Sequence, residues 1–102
     1  METTIAGVAV NLDSQGYLID HTQWNDSVAE VLAAEEAIQL TPKHMEVIGY
    51  LRQQYSDGVK LSIRRVGKSG IVSIKEFYSL FPGGPLKKAS RIAGIPKPVS
   101  CV

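Results

Sequence analysis

The sequence predicts a small α+β domain that is mostly α: an N-terminal β-hairpin or meander packed on a small orthogonal helical bundle, with a flexible C-terminal arm. Three observations predict it. Apolar, partly β-branched residues interrupted by turn chemistry occupy positions 5–19. Apolar residues then recur at helical spacing in segments that open on capping residues. The chain closes with Gly94, Pro96 and Pro98 ahead of its one cysteine, Cys101. With 102 residues the chain makes one domain, 1–102, divided into a body (1–93) and an arm (94–102).

Residues 5–19 come first. Ile5–Val10 is apolar, 11–16 supplies turn chemistry, and Tyr17-Leu18-Ile19 returns the chain. Trp24 begins an apolar pattern continued by Val28, Val31 and Leu32, with acids and caps at 25–27, which predicts a helix over 26–37. Trp24 reads as a core anchor rather than a ligand-stacking residue. Thr41-Pro42 is a helix start, and Met45, Val47, Ile48, Leu51 and Tyr55 form the stripe behind it. His44 reads as a first-turn capping or surface residue rather than a general base.

Positions 59–72 are open between strand and short helix, and Gly67 and Gly70 favour a truncated helix or turn followed by loop. Gly67-Lys68-Ser69 lacks the upstream glycine of a phosphate-binding loop. Ser73 with Glu76 matches a capping box, and Ile74, Phe77, Tyr78 and Phe81 continue at helical spacing. Pro82-Gly83-Gly84-Pro85 breaks that helix, and Pro85 opens the last one. That helix carries Lys87, Lys88 and Arg91 outside, with Leu86, Ala89, Ile92 and Ala93 inside. Gly94 stops it. Pro96 and Pro98 then stiffen an arm with a thiol near its tip.

Composition excludes several function classes. A single cysteine cannot build an internal disulfide framework or a multi-cysteine metal site, and no His/Asp/Glu cluster has ligand spacing, so no metal is expected. The start lacks a basic region followed by an apolar core, and no apolar run approaches the roughly 20 residues of a membrane span. The expected place is the cytoplasm, where a thiol stays reduced. Net charge is +1, but residues 1–60 hold nine acids and three bases, net −6, whereas 61–102 hold eight bases and one acid, net +7. The second half is either a docking surface for an acidic partner or nucleic acid, or simply a solvated basic face.

The run Leu80-Phe81-Pro82-x-Gly84-Pro85-x-Lys87-x-Ala89-x-x-Ile92-Ala93-Gly94-x-Pro96-Lys97-Pro98-x-x-Cys101-Val102 resembles the C-terminus of the DsrC/TusE family. That family comprises the gamma subunit of dissimilatory sulfite reductase and the sulfur-relay proteins of tRNA thiolation. The Leu-Thr-Pro-x-His-x-Glu-Val-Ile run at 40–48 and the N-terminal hairpin extend the resemblance over most of the chain. The sequence departs from it at Met45, where relatives usually have tryptophan, and in a shorter 64–73 region.

The resemblance implies a sulfur carrier, a sulfurtransferase-type protein rather than a stand-alone enzyme. It would hold a persulfide on Cys101 as a covalent intermediate and need no cofactor. Lys87, Lys88, Arg91 and Lys97 would be docking charges, and Pro96 and Pro98 would set the arm's stiffness. The family's second cysteine lies eleven positions upstream, where this chain has Ser90. That places the chain with the single-cysteine, TusE-like branch, whose partners are a sulfur-donating relay complex and a sulfur acceptor. Two other readings stay open. One is a DNA-binding or regulatory protein using Arg64, Arg65, Lys68 and Lys75; the other is a sulfite-reductase partner that docks its arm and transfers nothing.

Overall fold

The computed structural model describes residues 1–98. It has a two-stranded antiparallel hairpin, β1 (Glu2–Ile5) and β2 (Val8–Asn11), then five helices: α1 (Asp26–Glu35), α2 (Pro42–Ser56), α3 (Ile63–Gly67), α4 (Ile74–Leu80) and α5 (Pro85–Ile92).

The hairpin differs in detail from the sequence reading. Ile5–Val10 is not one strand. It folds at Ala6-Gly7, pairing Ile5 with Val8 and Glu2 with Asn11. Both turn residues have positive φ, 53° and 79°, the requirement of the two-residue turn whose twist matches its flanking strands. Gly7 is a turn residue, but Ala6 and the apolar residues on either side read as one run, which is why the bend is not legible in the sequence. The turn at 11–16 forms as well. Asp13 Oδ1 accepts from the Gln15 and Tyr17 N–H groups, and Leu12 bridges Leu18. The N-terminal unit is therefore a hairpin with one further returning segment, and the Tyr17 hydroxyl ties it to α5 by donating to the Lys87 carbonyl at 3.2 Å.

Each helix starts on a side-chain cap where one is available. Asn25, Thr41, Ser62 and Ser73 accept from N–H groups in the first turns of α1, α2, α3 and α4. α1 ends two residues earlier than its periodicity suggests. Ala37 takes φ 58°, and the Ala37 and Ile38 N–H groups return to the Ala34 and Ala33 carbonyls. Val31, expected inside, lies at the surface, and Ala29 and Ala33 are buried beside Val28 and Leu32 instead. α3 is the truncated helix. Its close approach to α4 needs Gly67, because a Cβ there would lie 2.4 Å from Ile74 Cγ1.

The core is continuous. Val10 and Leu18 from the N-terminal unit meet Val28 and Leu32 of α1, Ile48 and Leu51 of α2, and Phe77, Phe81, Leu86 and Ile92 from the last two helices and their connection. Ile74 and Tyr78, on the apolar pattern of α4, remain about half exposed. α5 is central: α1, α2 and α4 all pack against it. Among the described residues no helix is long and apolar enough to cross a membrane.

Candidate functional site: the root of the thiol arm

Cys101 and the rest of the arm tip, 99–102, lie outside the described residues. The root of the arm is described, and its anchoring is unusually complete. A helix ends with four carbonyls that lack partners within it, and buried ones must find donors elsewhere. Gly94 takes φ 71°. Its N–H donates to the Arg91 carbonyl at 3.1 Å, and the Ile95 N–H donates to the Ser90 carbonyl at 3.2 Å, which together form the reversal that favours glycine at this position. Two side chains supply the remaining donors. Trp24 Nε1–H donates to the Ile92 carbonyl at 2.8 Å, and Arg52 Nη1–H donates to the Ala93 carbonyl at 2.8 Å.

Those two side chains also support each other. The Arg52 guanidinium carbon lies 4.1 Å from the Trp24 ring centroid, and Nη2 donates to the His21 carbonyl at 3.1 Å. Burial lowers the Arg52 pKa from its ordinary value. The guanidinium faces the indole ring, two carbonyls and the negative end of α5. Trp24 leaves no room above Gly94: a Cβ there would lie 2.3 Å from Trp24 Cδ1 and 2.8 Å from its Cβ. Trp24 is thus the anchor the sequence suggests, aimed at the arm. Arg52 is not legible as a site residue, because nothing in its spacing distinguishes it from a solvated helix arginine.

Ile95 is 1% exposed, so the packed body extends through it, two residues beyond the boundary read from the glycine stop. Pro96 and Pro98 are half-buried and Lys97 is exposed. With Tyr55, Lys60 and Leu61 they line a groove of about 340 Å³.

The four basic residues assigned to docking separate in the structure. Lys87 and Lys97 are exposed. Lys88 is half-buried, 3.9 Å from Glu36. Arg91 is turned into the protein. Its Nη1 donates to Glu36 at 2.9 Å, Nη2 to Glu35, and Nε to the Gly16 carbonyl at 3.1 Å. Burial alone would lower the Arg91 pKa, but the bonds to Glu35 and Glu36 outweigh it and leave it raised. Arg91 therefore joins α5 to α1 and the N-terminal turn. Ser90, at the family's second-thiol position, is fully buried, and its Oγ has no hydrogen-bond partner among the described residues.

His44 is buried and structural. Its Nδ1 accepts from the Thr41 N–H at 3.2 Å, completing a capping box, and its Nε2–H donates to the Leu80 carbonyl at 2.8 Å. A carbonyl only accepts, so the proton sits on Nε2. The capping role is legible in the sequence; the bond to α4 is not.

Residues 4–102 match the family model described as DsrC like protein, and the chain belongs to that family. Among curated relatives, the sulfurtransferase TusE of Pectobacterium atrosepticum is 40% identical over 104 residues, covering 94% of this chain and 95% of that one. The TusE of Salmonella typhimurium is 38% identical over the same coverage. Among solved structures, DsrC of Allochromatium vinosum superposes with a TM-score of 0.80 at 37% identity. The oxidised gamma subunit of the dissimilatory sulfite reductase from Archaeoglobus fulgidus gives 0.82 at 37% identity, and both cover 100% of each chain.

Proposed function

We propose that this protein is a sulfur carrier that takes up a persulfide on Cys101 and passes it to an acceptor in a sulfur relay. The Cys101 thiolate attacks the outer sulfur of a donor persulfide. The donor S–S bond breaks, the donor leaves as a thiolate, and a persulfide remains on Cys101. The acceptor's thiolate then attacks that outer sulfur, and Cys101 is released as a thiolate. Sulfur changes hands without an external oxidant or reductant, so the chemistry needs no cofactor.

One observation carries most weight: Ile95 is the last fully buried residue among those described, and Cys101 lies six residues further on, within at most about 20 Å at full extension. A cysteine placed beyond a sealed helix end, on a chain whose relatives include sulfurtransferases, suits presentation to donor and acceptor in turn. Such relay chemistry belongs in the cytoplasm, where thiols stay reduced. The partners are a sulfur-donating complex and an acceptor of the tRNA-thiolating kind. Lys87 and Lys97 supply exposed charge for docking. Service as a two-thiol sulfite reductase subunit is disfavoured, since position 90 is serine and the chain has one cysteine.

The test is intact-protein mass after incubation with a persulfide donor. Wild type should gain one sulfur, reversible by reductant, and Cys101→Ser should gain none. Equal gain by both proteins, or none by either while the thiol labels freely, defeats the reading.

A further inference from the structure

A second concave site lies just past the Lys60–Leu61 connection that borders the arm groove. It is a cleft of about 300 Å³ between α2 and α3, lined by Tyr50, Ser62, Arg64, Arg65, Lys68 and Ser69. Three cations and three hydroxyls line it, and no carboxylate does. None of Arg64, Arg65 or Lys68 is in an ion pair among the described residues, whereas Lys43, Lys88 and Arg91 all are. The sequence supplies no acid between Asp57 and Glu76, although five bases fall in that stretch. All three side chains are exposed, and no acid in the lining neutralises them. An anion would.

The donor set narrows the anion. Guanidinium groups grip planar or tetrahedral oxyanions through paired N–H donors. The Ser62 hydroxyl accepts from the Arg65 N–H at 3.0 Å, which leaves its own proton free to donate. The Tyr50 hydroxyl has no hydrogen-bond partner among the described residues and is a second free donor. One carboxylate brings a single negative charge to three cations. A phosphate monoester brings close to two, with three acceptor oxygens for these donors. We propose that the α2–α3 cleft is a binding site for a phosphate-type oxyanion, as free phosphate or as the terminal phosphate of a larger ligand. Nothing in the carrier chemistry uses these residues, so the site stands or falls independently of Cys101.

The experiment is titration of the ¹⁵N-labelled full chain at constant ionic strength with inorganic phosphate, a nucleoside 5′-monophosphate, acetate, and an oligonucleotide lacking terminal phosphates. Both phosphate probes should give saturable amide shifts centred on 62–70, and acetate should not. Arg65→Gln with Lys68→Gln should weaken binding at least about tenfold, since each removes a charge-assisted bond while glutamine keeps helix propensity. Tyr50→Phe should weaken it less, and it guards against a folding artefact because the ring stays in place. A persulfide-loading assay on the same variants should be unchanged. Shifts spread equally over Lys87 and Lys97, or equal response to acetate, would overturn the proposal. Binding of the oligonucleotide alone would also overturn it, in favour of an extended nucleic-acid face.

Discussion

At the scale of single residues, the left-handed alanines are the clearest misfits between side chain and backbone. Ala37 ends α1 at φ 58° and makes the same pair of reversed hydrogen bonds that Gly94 makes after α5. A Cβ in this region costs roughly 1–2 kcal/mol, and glycine gives back part of that through its freer unfolded chain. Ala37→Gly should therefore stabilise the fold by about 0.5–1 kcal/mol, a rise of several degrees in Tm for a domain of this size. Thermal unfolding by circular dichroism checks it, and a fall in Tm would mean that the Ala37 methyl packs usefully. Neither Ala37 nor Ala6 is legible as a turn. The conformation is imposed by the packing of nearby residues, Ile38 after Ala37 and Val8 after the Ala6-Gly7 turn, both of which lie against the core. Alanine tolerates the strain without advertising it.

At the scale of elements, the sequence shows helix beginnings far better than helix ends. Thr41-Pro42 and Ser73 act locally, through side chains three residues from the N–H groups they satisfy, so their signal lies in the sequence itself. The end of α5 is closed by Trp24 and Arg52, 68 and 41 residues away from the carbonyls they bind. No local pattern announces such partners. The arrangement makes a sharp prediction at Gly94, whose absent Cβ lets the indole lie against the backbone. Gly94→Ala should cost at least about 2 kcal/mol, combining left-handed strain with displacement of Trp24. The loss should come with a red shift and changed quenching of the sole tryptophan's fluorescence as the ring moves into water. A stable variant with unchanged emission would show that the Trp24 contact does not hold the arm root.

At the scale of the whole molecule, the proposed carrier role calls for a division between packed body and arm, and the position of that division can be measured. The glycine stop and the two prolines make an arm legible from sequence. They do not show that Ile95 belongs to the body, because an isoleucine between glycine and proline carries no periodicity. The structure buries Ile95 and uses its N–H to complete the helix end, so full burial runs through Ile95 and gives way to half-buried Pro96 and Pro98. Full burial of an isoleucine side chain contributes roughly 1.5–3 kcal/mol. A chain ending at Pro96 should therefore keep the Tm of the full chain within about a degree, whereas one ending at Ala93 should lose that burial and both reversed hydrogen bonds, about 3 kcal/mol or more. A Tm that falls equally in both would place part of the arm's stabilising contacts beyond Pro96.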